Sequence, residues 1–259
     1  MSLELLTPIS DEILSSVGLL PKQILGKSIA IHTQNEGLPD LKEASIALIG
    51  VNENRNSFFP SQTYNLHDFR KEFYALFPGN WKSNLVDLGD LTNGETVEDT
   101  YFALQEICIH LRQINVIPVI VGGSHDLIYP LYRSYSKGNQ LVNLVSIDNQ
   151  FDFSQQEELI SGRSYMSKII MERPNLLNNY TNIGYQSYYI AQEELDLMEK
   201  LFFESYRLGT FSDDVSQAEP LVREADIVSV DMKALSWQST GDSQGSPNGI
   251  GSKTICALA

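Results

Sequence analysis

The 259-residue chain is short of cysteine, of positive charge and of long apolar runs. Its two cysteines, Cys108 and Cys256, sit in apolar helical contexts without a Cys-x-x-Cys spacing. That excludes a disulfide framework or a structural zinc site and predicts two buried thiols. Lysine and arginine number 18 against 33 aspartates and glutamates, a formal charge of −15. Such a chain repels phosphate backbones, and no basic cluster interleaved with aromatics offsets this, so nucleic acid is excluded as a partner. No apolar stretch approaches the roughly 18 residues of a membrane span. Residues 1–6 lack the basic start and long apolar core of a signal peptide. These absences point to a cytoplasmic protein with no membrane partner. A phosphate loop is missing as well, because Gly122-Gly123 lacks both the third glycine of a dinucleotide fingerprint and the lysine of a P-loop.

What the chain does have is a globular composition, 42% hydrophobic and 20% charged, and enough length for a sizeable core. Residues 1–43 carry scattered glycines and prolines and read as a lead-in to one domain spanning 1–259. Ala44 to Val51 is a continuous apolar run of the kind that forms a buried parallel strand. Phe69, Phe73, Leu76 and Phe77 recur at helical spacing within 62–77, which predicts an amphipathic helix stopped by Pro78-Gly79. Asn84 to Leu88 predicts a short strand. Thr96 and Asp99 have the spacing of a capping box for a helix reaching about Ile114. Strands are predicted at 116–121, 141–147, 180–185, near Tyr206 and at 227–230. Helices are predicted at 127–136, 165–171, 191–202 and 215–224. Regular alternation with short connections indicates an α/β fold, a three-layer α/β/α sandwich with a central parallel sheet. The last residues, Thr254 to Ala259, stop within an apolar helical pattern without a cap, from which a C-terminal truncation is expected.

Ligands in such sheets bind beyond the carboxyl ends of the strands, and three polar clusters occupy that position. His125 follows the strand at 116–121, where it serves either as a ligand or as a helix cap. Asp148, Gln150 and Asp152 follow the strand at 141–147; their alternation in an extended segment would aim all three one way, about 6.5–7 Å apart per pair. Asp231 and Lys233 follow the strand at 227–230. Each cluster alone is also explained by ordinary turn chemistry. It is their repetition at strand ends that favours a site.

Taken in order, Gly122-Gly123-Ser124-His125, Asp148-Asn149-Gln150-Phe151-Asp152 and Ser229-Val230-Asp231-Met232-Lys233 resemble the signatures of the ureohydrolase family of arginases, agmatinases and formimidoylglutamases. Asp87-Leu88-Gly89-Asp90 and Ser246-Pro247-Asn248-Gly249 resemble two further family motifs, and the similarity spans about residues 44–259. The resemblance, nearest to formimidoylglutamase-like members, implies an arginase-like fold and homo-oligomers. It also implies hydrolysis of C–N bonds in linear amidines at two manganese ions that ionise a water. By resemblance, His125, Asp148, Asp152 and Asp231 are metal ligands, with Asp152 also catalytic. Hard carboxylate oxygens with an imidazole suit manganese.

The same alignment exposes departures. Gln150 stands where the family has a second histidine, and Lys233 stands where it has the last carboxylate. A protonated lysine has no lone pair to give. About 4 Å from a dication, at an effective dielectric near 20, it would be repelled by roughly 8 kcal/mol. Lys233 is therefore expected to sit among the three aspartates and replace metal charge with its own. Ser161-Gly162 is kept, but Tyr165 follows where a histidine shuttles protons, and a phenol is a poor shuttle at neutral pH. Arg163 is either a surface arginine or a partner for an acidic substrate. Two readings result: a family member with a degraded metal site, holding no manganese or at most one ion and binding a small molecule or partner, and an active manganese-dependent hydrolase of formimidoylglutamate, agmatine or arginine.

Overall fold

The computed structural model describes residues 2–57, 65–80, 84–154, 160–241 and 246–258. The chain forms two compact units, residues 1–134 and 135–259. Both are built on parallel strands joined through helices, the α/β class that the alternating pattern predicts.

In the first unit, β1 (Leu6–Thr7), α1 (Asp11–Gly18) and β2 (Ala30–Ile31) precede β3 (Ile46–Val51). Then come α2 (Leu66–Ala75), β4 (Leu85–Leu91), α3 (Val97–Gln113), β5 (Ile117–Val121) and α4 (Ile128–Arg133). The sheet runs β1-β4-β3-β5, with β2 also paired to β4. Pairing is parallel except for β1, which is antiparallel to β4. Residues 1–43 are thus more than a lead-in, since they supply two strands of this sheet. Ile9, Ile13 and Val17 close a core with Ile24 and Tyr74.

The expected face of α2 is corrected by the structure. Its buried positions are Leu66, Arg70 and Tyr74, whereas Leu76 and Phe77 lie beyond its end and are exposed. The i, i+4 spacing of Arg70 and Tyr74 puts both on one stripe, and that stripe binds Asp87. An apolar pattern search misses a core-facing arginine. Residues 62–64 of the predicted helix lie outside the described residues. The capping box of α3 forms as its spacing predicts: Thr96 Oγ1 accepts from the Asp99 amide at 3.1 Å, and the Asp99 carboxylate accepts from the Thr96 amide at 2.9 Å.

The second unit contains β6 (Val142–Ile147), α5 (Tyr165–Met171), β7 (Leu177–Tyr185), α6 (Gln192–Lys200) and β8 (Glu204–Arg207). These are followed by α7 (Leu208–Asp213), α8 (Ala218–Arg223), β9 (Ile227–Val230), α9 (Trp237–Thr240) and α10 (Ser252–Leu258). Its sheet order is β8-β7-β6-β9, all parallel. On one face Val145, Ile147 and Ile183 pack with Phe211, Ala218 and Ile250. The other face carries Ser146 and Tyr180, which are buried. The expectation of two buried thiols holds for Cys108 and fails for Cys256, which is exposed. In α10 it is Ile255 and Leu258, three residues apart, that reach the core, and this turns Cys256 outward.

Candidate functional site

The first unit buries carboxylates within β4 and just beyond β3 and β5, and partners each of them inside the unit. Asp87, fully buried within β4, accepts from Arg70 Nε at 2.9 Å, from the Tyr74 hydroxyl at 2.7 Å and from the Gly89 amide at 2.9 Å. Arg70 also donates to Asp90 at 2.6 Å. Burial alone would lower the Arg70 pKa, but Asp87 and Asp90 raise it above its ordinary value, so the guanidinium stays charged. The motif that looked like a strand end therefore lies inside a strand, because β4 continues past Gly89 (φ +87°) to Leu91.

Glu53, also fully buried, is held by Arg55 and by the Thr100 hydroxyl at 3.0 Å. Burial would raise its carboxyl, and the hydrogen bonds of Arg55 and Thr100 bring it below the usual range instead. Asp126 accepts from Tyr101 and Ser124, yet burial dominates and raises its carboxyl.

The two glycines before His125 serve the turn. Gly122 and Gly123 have φ of +90° and +78°, and a Cβ on Gly123 would lie 2.9 Å from the Val51 carbonyl and 3.0 Å from that of Glu53. Only glycine suits a backbone so placed. His125 then opens a short 3-10 turn at His125–Leu127 leading into α4, half-buried.

The second unit holds the remaining predicted site residues at the carboxyl ends of adjacent strands. Ile147 on β6 pairs with Val230 on β9, so Asp148 and Asp231 leave the sheet side by side. Each then closes the same kind of turn. Asp148 Oδ1 accepts the Gln150 amide at 3.0 Å, and Asp231 Oδ1 accepts the Lys233 amide at 2.8 Å. These are Asx turns, in which an aspartate binds the backbone two residues on. Gln150 and Lys233 thus occupy equivalent places in two copies of one local motif.

The Asx turn also corrects the geometry expected for the second cluster. The chain after Ile147 is not extended, and Asp152 takes a left-handed φ of +56°. Asp148 and Asp152 are buried while Gln150 between them is half-buried, so the three do not share one extended face. Asn149 and Asn182 pin the segment: Asn149 Nδ2 donates to the Lys233 carbonyl at 3.0 Å, and Asn182 Nδ2 to the Gln150 carbonyl at 2.7 Å. Arg163 is half-buried in the turn before α5, and Tyr165 is the first residue of that helix, fully buried.

Tyr165 and the equally buried Tyr180 on β7 flank the carboxylates. Burial is the main force raising both phenols well above their ordinary pKa, and the charges of Asp152 and Asp148 add to it. Both are therefore neutral hydroxyls across the physiological range. Sequence reasoning missed Tyr180, Asn182 and Ser146. The visible signal was the polar content of the strand run Asn178-Asn179-Tyr180-Thr181-Asn182, which is buried from Tyr180 onward.

With the geometry in hand, the comparisons place the chain in a class. The arginase family model matches residues 45–241, and the chain belongs to that family. Solved structures share its fold at low identity. Trypanosoma cruzi formiminoglutamase, in a structure with Mn2+, superposes with a TM-score of 0.74 at 14% identity, covering 91% of this chain and 84% of that one. Formimidoylglutamase from Bacillus subtilis gives 0.73 at 14% identity, covering 91% and 78%. Agmatine ureohydrolase of Thermoplasma volcanium gives 0.68 at 17% identity, covering 96% and 84%. No curated protein matches by sequence. Among the described residues no helix is long and apolar enough to cross a membrane.

Proposed function

We propose that this chain is a formimidoylglutamase-like member of the arginase family whose two-manganese site is reduced. In this reading His125, Asp148, Asp152 and Asp231 remain as ligands, sufficient for one hard divalent cation at most, and the protein is weak or inactive as a hydrolase. Its role is then to bind a small molecule or a partner protein at the strand ends. The observation that carries the proposal is the pair of matched Asx turns. They give Gln150 and Lys233 equivalent backbone positions, each two residues after an aspartate whose carboxylate accepts its amide. Those are the two positions where the family resemblance calls for a histidine and a carboxylate.

The donor chemistry fits one ion and not two. Carboxylate oxygens and an imidazole suit Mn2+, and such an ion would supply Lewis acidity and an ionised water. A second ion would need ligands from a neutral amide and an ammonium, which offer a weak donor and none. The chain's own groups have roles that need no second metal. Tyr165, a neutral phenol at the shuttle position, donates hydrogen bonds instead of relaying protons at neutral pH. Arg163 faces the acidic end of a glutamate-type ligand. Cytoplasmic location and a homo-oligomeric assembly belong to the same reading.

The test is the double variant Gln150→His with Lys233→Asp. Manganese affinity and hydrolysis of formimidoylglutamate, agmatine and arginine are measured beside the unmodified chain. The proposal expects a gain in both only in the double variant. Equal turnover in the unmodified chain supports the second reading, an active manganese-dependent hydrolase, which the three retained aspartates favour.

A further inference from the structure

The parallel ladder of the second unit runs one residue past its strands. The Asp148 amide donates to the Ile183 carbonyl and the Asp231 amide to the Ile147 carbonyl, both at 3.0 Å. Beyond those bonds, side chains tie each turn to the neighbouring strand exit, and both are asparagines.

The two turns are built alike. In the turn after β6, Gln150 donates its amide to Asp148 Oδ1 and accepts on its carbonyl from Asn182 Nδ2 at 2.7 Å, Asn182 coming from the adjacent strand β7. In the turn after β9, Lys233 donates its amide to Asp231 Oδ1 and accepts on its carbonyl from Asn149 Nδ2 at 3.0 Å, Asn149 coming from the exit of the adjacent strand β6. Each turn-closing residue is therefore held at both ends, by a carboxylate on its amide and by a neighbour's asparagine on its carbonyl. Asn182 is fully buried and Asn149 nearly so. The Asn149 carbonyl also accepts the Gln186 amide at 3.1 Å, which anchors Asn149 to the exit of β7.

We propose that Asn149 and Asn182 are positioning residues that set the aim of the Asp231 and Asp148 carboxylates, each by locking the residue that closes the neighbouring turn. The chemistry requires an amide. Its nitrogen donates to a carbonyl without bringing charge, whereas an ionised aspartate has only acceptors to offer and an aliphatic side chain has no donor. Fixing the carbonyl end of Lys233 or Gln150 fixes its amide, and the amide holds the carboxylate in one orientation. The lock passes from β7 to β6 and from β6 to β9, so each asparagine governs a different carboxylate.

The first test needs no metal. Crystal structures of the full chain, of Asn149→Leu and of Asn182→Leu are compared, leucine keeping the approximate shape of asparagine. The expected result is crossed. In Asn149→Leu the Asp231 carboxylate leaves the Lys233 amide or takes several orientations, while Asp148 keeps its bond to Gln150. In Asn182→Leu it is Asp148 that is released and Asp231 that is kept. A merely structural role would lower stability and leave both carboxylates in place, which would overturn the proposal, as would release of the wrong carboxylate. If a leucine variant does not fold, alanine replaces it, and failure of both to fold would overturn the positioning role of that asparagine. A second readout, Mn2+ affinity, rests on the proposed function. Where the chain takes up one ion, each variant should bind it about 10–100-fold more weakly, as expected for groups that orient a metal ligand without touching the metal, and unchanged affinity would overturn the proposal. Failure of the proposed function shows instead in the number of ions the unmodified chain takes up, on which the crossed pattern does not depend.

Discussion

The two units give buried carboxylates different work. In the first, Asp87 and Glu53 are each paired with an arginine from the same unit, and the Asp87 cluster adds a phenol and a backbone amide. In the second, Asp148 and Asp231 close Asx turns on backbone amides, and the side chains ranged near Asp148 and Asp152 include neutral phenols and an amide. A carboxylate matched by a guanidinium is a structural pin. A carboxylate that accepts the amide two residues on instead shapes the turn at a strand end. The comparison separates carboxylates pinned by a guanidinium from carboxylates that close turns at strand ends.

The sharpest way to break this contrast is to make one substitution in both places. Asp87→Asn leaves the buried Arg70 poorly compensated and is expected to cost about 3–5 kcal/mol of unfolding free energy. Asp152→Asn is expected to cost less, because asparagine is isosteric with aspartate and tolerates the left-handed φ of this position. Denaturant unfolding of both variants checks this, and equal losses would erase the distinction. A smaller effect is expected for Tyr74→Phe. It removes a hydrogen bond to a buried charged group and should lower stability by roughly 1.5–3 kcal/mol in the same assay.

Away from both clusters, Thr96→Ala removes the side-chain half of the α3 capping box and should cost about 1 kcal/mol. The smallest effect concerns acid. Glu53 has a folded pKa below its unfolded value of about 4.3. Its contribution is present above the unfolded value and is lost as the pH falls through the folded one. Glu53→Gln should therefore flatten the acid limb of a plot of unfolding midpoint against pH. An unchanged limb would show that Arg55 does not hold this carboxylate.

Most of this architecture was legible because apolar periodicity reports burial. The runs at 44–51 and 141–147 became β3 and β6, and the Thr96 and Asp99 spacing became a closed capping box. The sequence misled where a polar group does a core residue's work. Arg70 turned the face of α2, and β4 ran through a glycine that looked like a stop. Cys256 was read from its apolar neighbours, though one step along a helix turns a side chain by about 100°. Asp148 and Asp231 directly follow β6 and β9, as strand-end reasoning expects. The local geometry did not follow, because an Asx turn and a left-handed Asp152 replace the extended chain that alternation assumed. Tyr180 and Asn182 stayed hidden because their importance comes from cross-strand register, which no local pattern displays.

The central claim is that the strand-end carboxylates are a reduced form of the family's metal site. The most direct test is the manganese content per chain after loading with excess Mn2+ and removal of free metal. The account predicts no ion or one ion in the unmodified chain and two in Gln150→His with Lys233→Asp. Two ions in the unmodified chain would contradict it.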